Sequence, residues 1–248
     1  MIDLDSLPED TEEINVSHEG LHSLDVTRFK NLKRLYCSNN QLTSLYLNEN
    51  LQVLYCRNNK LTSLHFNEKL EYLYCEHNLL TSLHTKNLKT LHCHNNKLTS
   101  LHLNTNLKIL HCFCNKLTSL HLTKNLEKLH CYNNKLTSLH LNAALNTLHC
   151  RDNKLTSLHL NENLQQFSCE DNPIYEIINT NDKQIIKQKL RVLNQFRYLY
   201  YSLKFKKRFR DWLWIKIREP KIREKYSHDY LLENLHEDTD LDEFLEKW

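Results

Sequence analysis

One feature governs how this chain can fold: a repeat. The stretch "LHCHNNKLTSLHLNTN" (Leu91 to Asn106) returns as "LHCFCNKLTSLHLTKN", then as "LHCYNNKLTSLHLNAA", then as "LHCRDNKLTSLHLNEN". The period is 19 residues, shortened to 18 once, between Cys75 and Cys93. Units begin at Leu32, Leu51, Leu70, Leu88, Leu107, Leu126, Leu145 and Leu164. A degenerate 21-residue unit, Thr11 to Asn31, precedes them, with Ile14, Val16, Leu21, Leu24 and Val26 on the same template, which makes nine. A fixed period of this length marks a stacked array in which each unit buries its apolar set only against its neighbours, so both ends need caps. The expected organisation is a lead-in over residues 1–10, a solenoid over 11–179 and a separate C-terminal part over 180–248.

Within a unit the pattern is Leu-x-x-Leu-x-Cys-x-x-Asn-x-Leu-Thr-Ser-Leu-His-Leu. It resembles the leucine-rich repeat, whose strand signature is L-x-x-L-x-L-x-x-N/C-x-L. The resemblance covers residues 11–179 and recurs in register eight times. It implies an α/β repeat class fold: a leucine-rich repeat solenoid with a parallel β-sheet, one short strand per unit, and Leu and Cys turned inward. It also implies that the ninth-position Asn (Asn40, Asn59, Asn78, Asn96, Asn115, Asn134, Asn153, Asn172) forms an inward ladder of hydrogen bonds to backbone groups. After that Asn, "LTSLHL" alternates apolar and polar, which predicts a second extended segment and a mostly extended outer side. Nineteen residues leave little room for a helix there, so a weakly curved solenoid is expected.

Turns need residues that tolerate unusual backbone. With one Gly and three Pro in 248 residues, asparagine is the turn residue available. Cysteine recurs at Cys37, Cys56, Cys75, Cys93, Cys112, Cys131, Cys150 and Cys169, always in one position, with Cys114 out of register. A position that accepts Cys where Val16 stands in the first unit behaves as a small apolar core site, so the thiols read as reduced and the chain as intracellular. No signal-peptide pattern opens the sequence and no run of about 18 apolar residues occurs, which predicts a protein that is neither secreted nor membrane-spanning.

The juxtaposed His and Cys of "LHC" invite a metal-site reading, and strand geometry opposes it. Successive side chains in a strand face opposite sides, so Leu91 and Cys93 enter the core while His92 faces out. No second pair accompanies Cys112 and Cys114, and no metal or other cofactor is expected. The same geometry stacks each repeat position into a column about 4.8 Å apart. One column reads Tyr36, Tyr55, Tyr74, His92, His111, His130, His149, with Tyr72 on one flank and Arg57, His94, Phe113, Tyr132 and Arg151 on the other. These residue types anchor protein interfaces, and these thirteen are the predicted partner-binding residues. Histidines stacked at strand spacing are expected to resist protonation through mutual repulsion. A second column, from His65 to His159, lies on the outer wall and reads as solvated.

Past Ile178 the repeat stops. From residue 183 to 225 lysine and arginine far outnumber acids, and aromatics crowd in, as in "QFRYLYYSLKFKKRFRDWLWIKIREP". Asn181 or Asp182 is placed to cap a helix in which Ile185, Ile186, Leu190, Leu193 and Phe196 recur at helical spacing, and Glu219-Pro220 marks a break. Basic-aromatic sequence suits nucleic acid or an anionic membrane, with Tyr200, Phe205, Trp212 and Trp214 among the cations. Packing onto the open end of the solenoid competes with that reading. The stretch "FRDWLWIKIREPKIREKYSHDYLLENL" resembles a C-terminal segment of proteins from mimivirus-like giant DNA viruses, as does the short Cys-containing repeat. That resemblance implies a viral protein made in the host cytoplasm.

Phosphate-cradling Gly loops, nucleophile elbows and paired carboxylates are all missing, which argues against an enzyme. Bacterial effector ligases that join such repeats to a helical domain need a catalytic Cys there, and no Cys follows Cys169. The expected function is a non-enzymatic scaffold presenting the Tyr/His strand face to a protein partner. The alternative is nucleic-acid or anionic-membrane binding through residues 183–225.

Overall fold

The structure is a computed structural model that describes residues 4–178, 180, 182, 184–195, 206 and 211. After a 3-10 turn at Leu4–Ser6, short strands follow at nearly the repeat period: β1 (Glu13–Asn15), β2 (Ser23–Asp25), β3 (Arg34–Tyr36), β4 (Ser44–Tyr46), β5 (Val53–Tyr55), β6 (Tyr72–Tyr74), β7 (Thr90–His92), β8 (Ile109–His111), β9 (Lys128–His130), β10 (Thr147–His149) and β11 (Gln166–Ser168). Nine of them form one parallel sheet in the order β1-β3-β5-β6-β7-β8-β9-β10-β11. Equivalent positions pair across it without slippage: Tyr55 lies against Tyr74, Tyr74 against His92 and His92 against His111.

Register is enforced by what faces inward. Leu88, Leu91, Cys93 and Leu98 have no exposed surface, and the equivalent Leu and Cys of the neighbouring turns are likewise buried. Burying each Leu side chain contributes roughly 1.5 to 3 kcal/mol, and a one-residue slip would turn the whole set outward. The in-register cysteines are buried free thiols. Burial pushes the Cys37 and Cys112 thiols up to about 12, so they stay protonated and pack as small apolar groups.

The asparagine ladder closes the bend after each strand. Asn96 Nδ2 donates to the carbonyls of Cys75 in the preceding turn (3.0 Å) and Cys93 in its own (3.1 Å), while its Oδ1 accepts from the Leu80 amide (2.9 Å). Asn59, Asn78, Asn115, Asn134, Asn153 and Asn172 repeat the arrangement, each joining two turns. A second ladder, not anticipated from the sequence, uses the seventeenth position: Asn48 donates to Phe29 and Leu32, and Asn67 to Asn48 and Leu51. Its signal is the return of Asn at positions 48, 67, 104, 142 and 161.

The left-handed backbone position is the residue just before each ladder Asn. Asn39, Asn58, Asn95 and Asn133 hold it as expected, but so do His77, Cys114, Asp152 and Asp171, all with φ between 52° and 57°. That is where Cys114 sits: in a turn, away from the buried cysteine column.

The outer wall is mostly extended, as expected, but it is not a continuous sheet. Backbone bonds join consecutive turns at its start, as from the Lys97 amide to the Leu80 carbonyl (2.9 Å), but a strand ladder forms only between β2 and β4. Elsewhere among the described residues the outer segments meet in isolated bridges, His84 with His102 and His140 with His159. Alternation of apolar and polar residues decides which side faces the core, not whether neighbouring turns approach within hydrogen-bonding distance. In the last turn a short helix, α1 (Pro173–Ile178), replaces the extended segment. Pro173 at its first position supplies a preset φ and needs no amide partner, and Ile174 and Ile178 enter the core.

Residues 184–195 are helical. Asp182 Oδ1 accepts from the amides of Gln184 (2.8 Å) and Ile185 (3.1 Å), an N-cap. Ile186 and Leu190 are buried, whereas Ile185 is largely exposed. The chain divides into two compact units, Met1–Val192 and Leu193–Trp248. Phe196, Tyr200, Phe205, Trp212, Trp214 and the Glu219-Pro220 break lie outside the described residues, as does most of the 183–225 segment. Among the described residues no helix is long and apolar enough to cross a membrane.

Candidate partner-binding face

On the solvent side of the sheet, in-register pairing converts a repeat position into a ring stack. Tyr36 and Tyr55 stack at 5.0 Å between centroids, and Tyr55 and Tyr74 at 4.2 Å. Tyr74 meets His92 edge-on at 4.7 Å, after which His92, His111 and His130 stack at 4.1 and 4.2 Å. His149 turns edge-on to His130 at 4.5 Å and its Nδ1 lies 3.0 Å from Ser168 Oγ, ending the column. A second column runs beside it: His94 stacks on Phe113 (4.1 Å), Phe113 on Tyr132 (4.2 Å), and the Arg151 guanidinium lies 5.1 Å from the Tyr132 ring centre. Ring pairs of this kind contribute about 0.5 to 1.5 kcal/mol each beyond area burial.

Of the thirteen predicted residues, seven make the first column and Arg57, His94, Phe113, Tyr132 and Arg151 belong to the second. Tyr72 stands on the other flank, half-buried between Val53 and Thr90. The rings are half-buried by one another, not freely solvated, and this changes the electrostatics. His94 is held down at about 4, His111 at about 3 and His130 at about 4; in each, loss of hydration is the largest cause and repulsion from neighbouring imidazoles follows. His92 is lowered by burial as well. The expectation from repulsion alone thus had the right direction and the wrong leading cause. At neutral pH the face is aromatic and uncharged along its middle.

At its N-terminal end the face holds a groove of about 550 Å³ lined by Ser17, His18, Tyr36, Ser38, Asn39, Tyr55, Arg57, Tyr74, Glu76 and His92. Glu76 lies in the same column as Arg57 and His94 and is not among the thirteen predicted residues. It is buried, with 7% of its surface exposed, and burial raises its carboxyl above the usual range. Among the described residues no three His, Cys, Asp or Glu side chains converge to hold a metal ion.

A family model of leucine-rich repeats, two copies, matches residues 30–68. Among solved structures, YopM from Yersinia enterocolitica superimposes with a TM-score of 0.65 and 30% identity over 68% of this chain and 39% of its own. The functional domain of InlJ from Listeria monocytogenes, which includes a cysteine ladder, gives 0.63 and 34% over 72% of this chain and 42% of its own. The chain is a leucine-rich repeat solenoid. YopM from Yersinia pestis, a leucine-rich effector protein, gives 0.61 and 30% over 65% of this chain and 49% of its own, so the solenoid spans less than half the length of each of these three structures. Among curated proteins no sequence matches.

Proposed function

We propose that this leucine-rich repeat solenoid is a non-enzymatic scaffold that holds a protein partner on the Tyr/His strand face. The observation that carries the reading is the continuous column from Tyr36 to His149, seven rings long. Its side chains are already ordered by stacking, so a partner that covers them sacrifices little rotamer freedom while burying a large aromatic area. Neutral imidazoles in the middle spare the partner the cost of desolvating a charge.

The test uses two double variants, Tyr55→Ala with Tyr74→Ala and His111→Ala with His130→Ala, in pull-downs from host lysate. Each is expected to lose partner capture while keeping the circular dichroism of the parent, and Leu110→Ala is the control that loses the fold instead. Capture that survives both double variants would refute the reading. The competing assignment, nucleic acid or an anionic membrane at residues 183–225, predicts capture that needs that segment and weakens steeply with salt, as phosphate contacts do. A viral protein acting in a host cytoplasm belongs to the same proposal and rests on the resemblance of residues 209–235, which lie largely outside the described residues.

A further inference from the structure

We propose that the groove at the N-terminal end of the strand face receives an arginine side chain of the protein partner, with the Glu76 carboxylate as its counter-ion. This deepens the scaffold reading and rests on it for the partner being a protein. Glu76 Oε2 is shielded from solvent and accepts no hydrogen bond. Buried carboxylate oxygens are ordinarily bonded or paired, because an ionised oxygen without a donor loses its hydration and gains nothing in return. The backbone amide of Glu76 itself bonds the carboxyl, but no donor among the described residues reaches Oε2. Arg57, exposed on the groove, acts on Glu76 through space without bonding to that oxygen.

The position is not required for the fold. Equivalent places in other turns hold Ser38, Arg57, His94, Phe113, Tyr132, Arg151 and Glu170, and the Glu170 carboxylate is only half-buried, so Glu76 is the carboxylate in this column that is shielded. One turn further along the same column, His94 Nδ1 is a second shielded polar atom without a partner, on a ring that is neutral at pH 7. Two shielded polar atoms without partners thus occur in consecutive turns, beside the stacked rings of Tyr55 and Tyr74. A guanidinium suits it better than other cations: it carries five N–H donors and no acceptor, it is weakly hydrated, and its plane packs against aromatic edges. Its charge also complements the carboxylate, which Arg57 offsets only through space.

The experiment titrates the full chain at pH 7.5 with N-acetylarginine amide and, separately, with N-acetylcitrulline amide, which has nearly the same shape without the charge. Binding is read from the Tyr55 and Tyr74 ring protons and the Glu76 carboxyl carbon by NMR, assigned with the Glu76→Gln variant. Working at one pH holds the protonation of the chain constant across the comparison. Arginine amide is expected to move these resonances saturably, citrulline amide at least tenfold more weakly, and Glu76→Gln to weaken arginine binding at least tenfold. Equal responses to the two probes would overturn the proposal, and that arm needs no variant to fold. So would unchanged arginine binding in Glu76→Gln. Partner capture that fails in the aromatic double variants while citrulline matches arginine refutes this site and leaves the scaffold standing; arginine binding with capture indifferent to the aromatic variants does the reverse.

Discussion

Acid is expected to weaken this solenoid well above the carboxylate range. The rings of His94, His111 and His130 bind a proton in the fold only at about 4, 3 and 4, against about 6.5 in the unfolded chain. Because the folded values are the lower ones, the unfolded state takes up protons first as pH falls, and protons favour it. Stability is therefore full above about 6.5, declines as pH drops from there towards 4 to 3, and levels off below. Between pH 7.5 and 5.5 a ring that titrates in the unfolded chain and not in the fold costs about 1.4 kcal/mol, hence about 4 kcal/mol for three rings. The rings are only half-buried, and solvent screening reduces this to roughly 2 kcal/mol. For a chain of this length that lowers the melting temperature by about 4 to 8 °C. Glu76 works in the opposite sense, since burial raises its carboxyl and protonation relieves it. Lys128 beside His130 adds a fixed repulsion that favours the neutral ring. Thermal melts at pH 7.5 and 5.5 in moderate salt, on the parent and on a variant with His94, His111 and His130 all changed to Gln, measure the effect. The variant should lose most of the difference; equal melting temperatures for the parent at the two pH values would refute the reasoning.

Two further outcomes follow from the turns. Asn96→Ala strands the Leu80 amide and withdraws the side-chain donor from the Cys75 and Cys93 carbonyls, and at about 1 to 3 kcal/mol for the amide left unsatisfied it should lower the urea midpoint more than Lys97→Ala, an exposed neighbour. Cys114→Asn should raise stability by about 0.5 to 1 kcal/mol, because its φ of 53° costs a residue other than Gly, Asn or Asp more, and guanidinium unfolding of the two proteins side by side measures the gain.

What the sequence determined by itself is the solenoid. A 19-residue period with Leu and Cys at constant places marks a stacked array, two-residue alternation turns the Leu and Cys inward, and the parallel sheet and the Asn40 to Asn172 ladder are what the resemblance to the leucine-rich repeat implies. Alternation also separated His92 from Cys93 without any structure. It did not determine depth, because which side a residue faces is local while how far it is covered depends on the neighbouring turns. Tyr74 and His111 were legible as outward, but only the stacked turns made them half-buried and lowered the imidazole. Glu76, an ordinary surface residue by type, became a shielded carboxylate because its turn lies between those of Arg57 and His94 in one column. The outer "LTSLHL" segments read as extended from their alternation, and they are; that only β2 and β4 among the described residues pair as a ladder was not legible, since hydrogen bonding between turns depends on a spacing that no single unit contains. A repeat fixes what each turn presents; contact between turns decides what becomes of it.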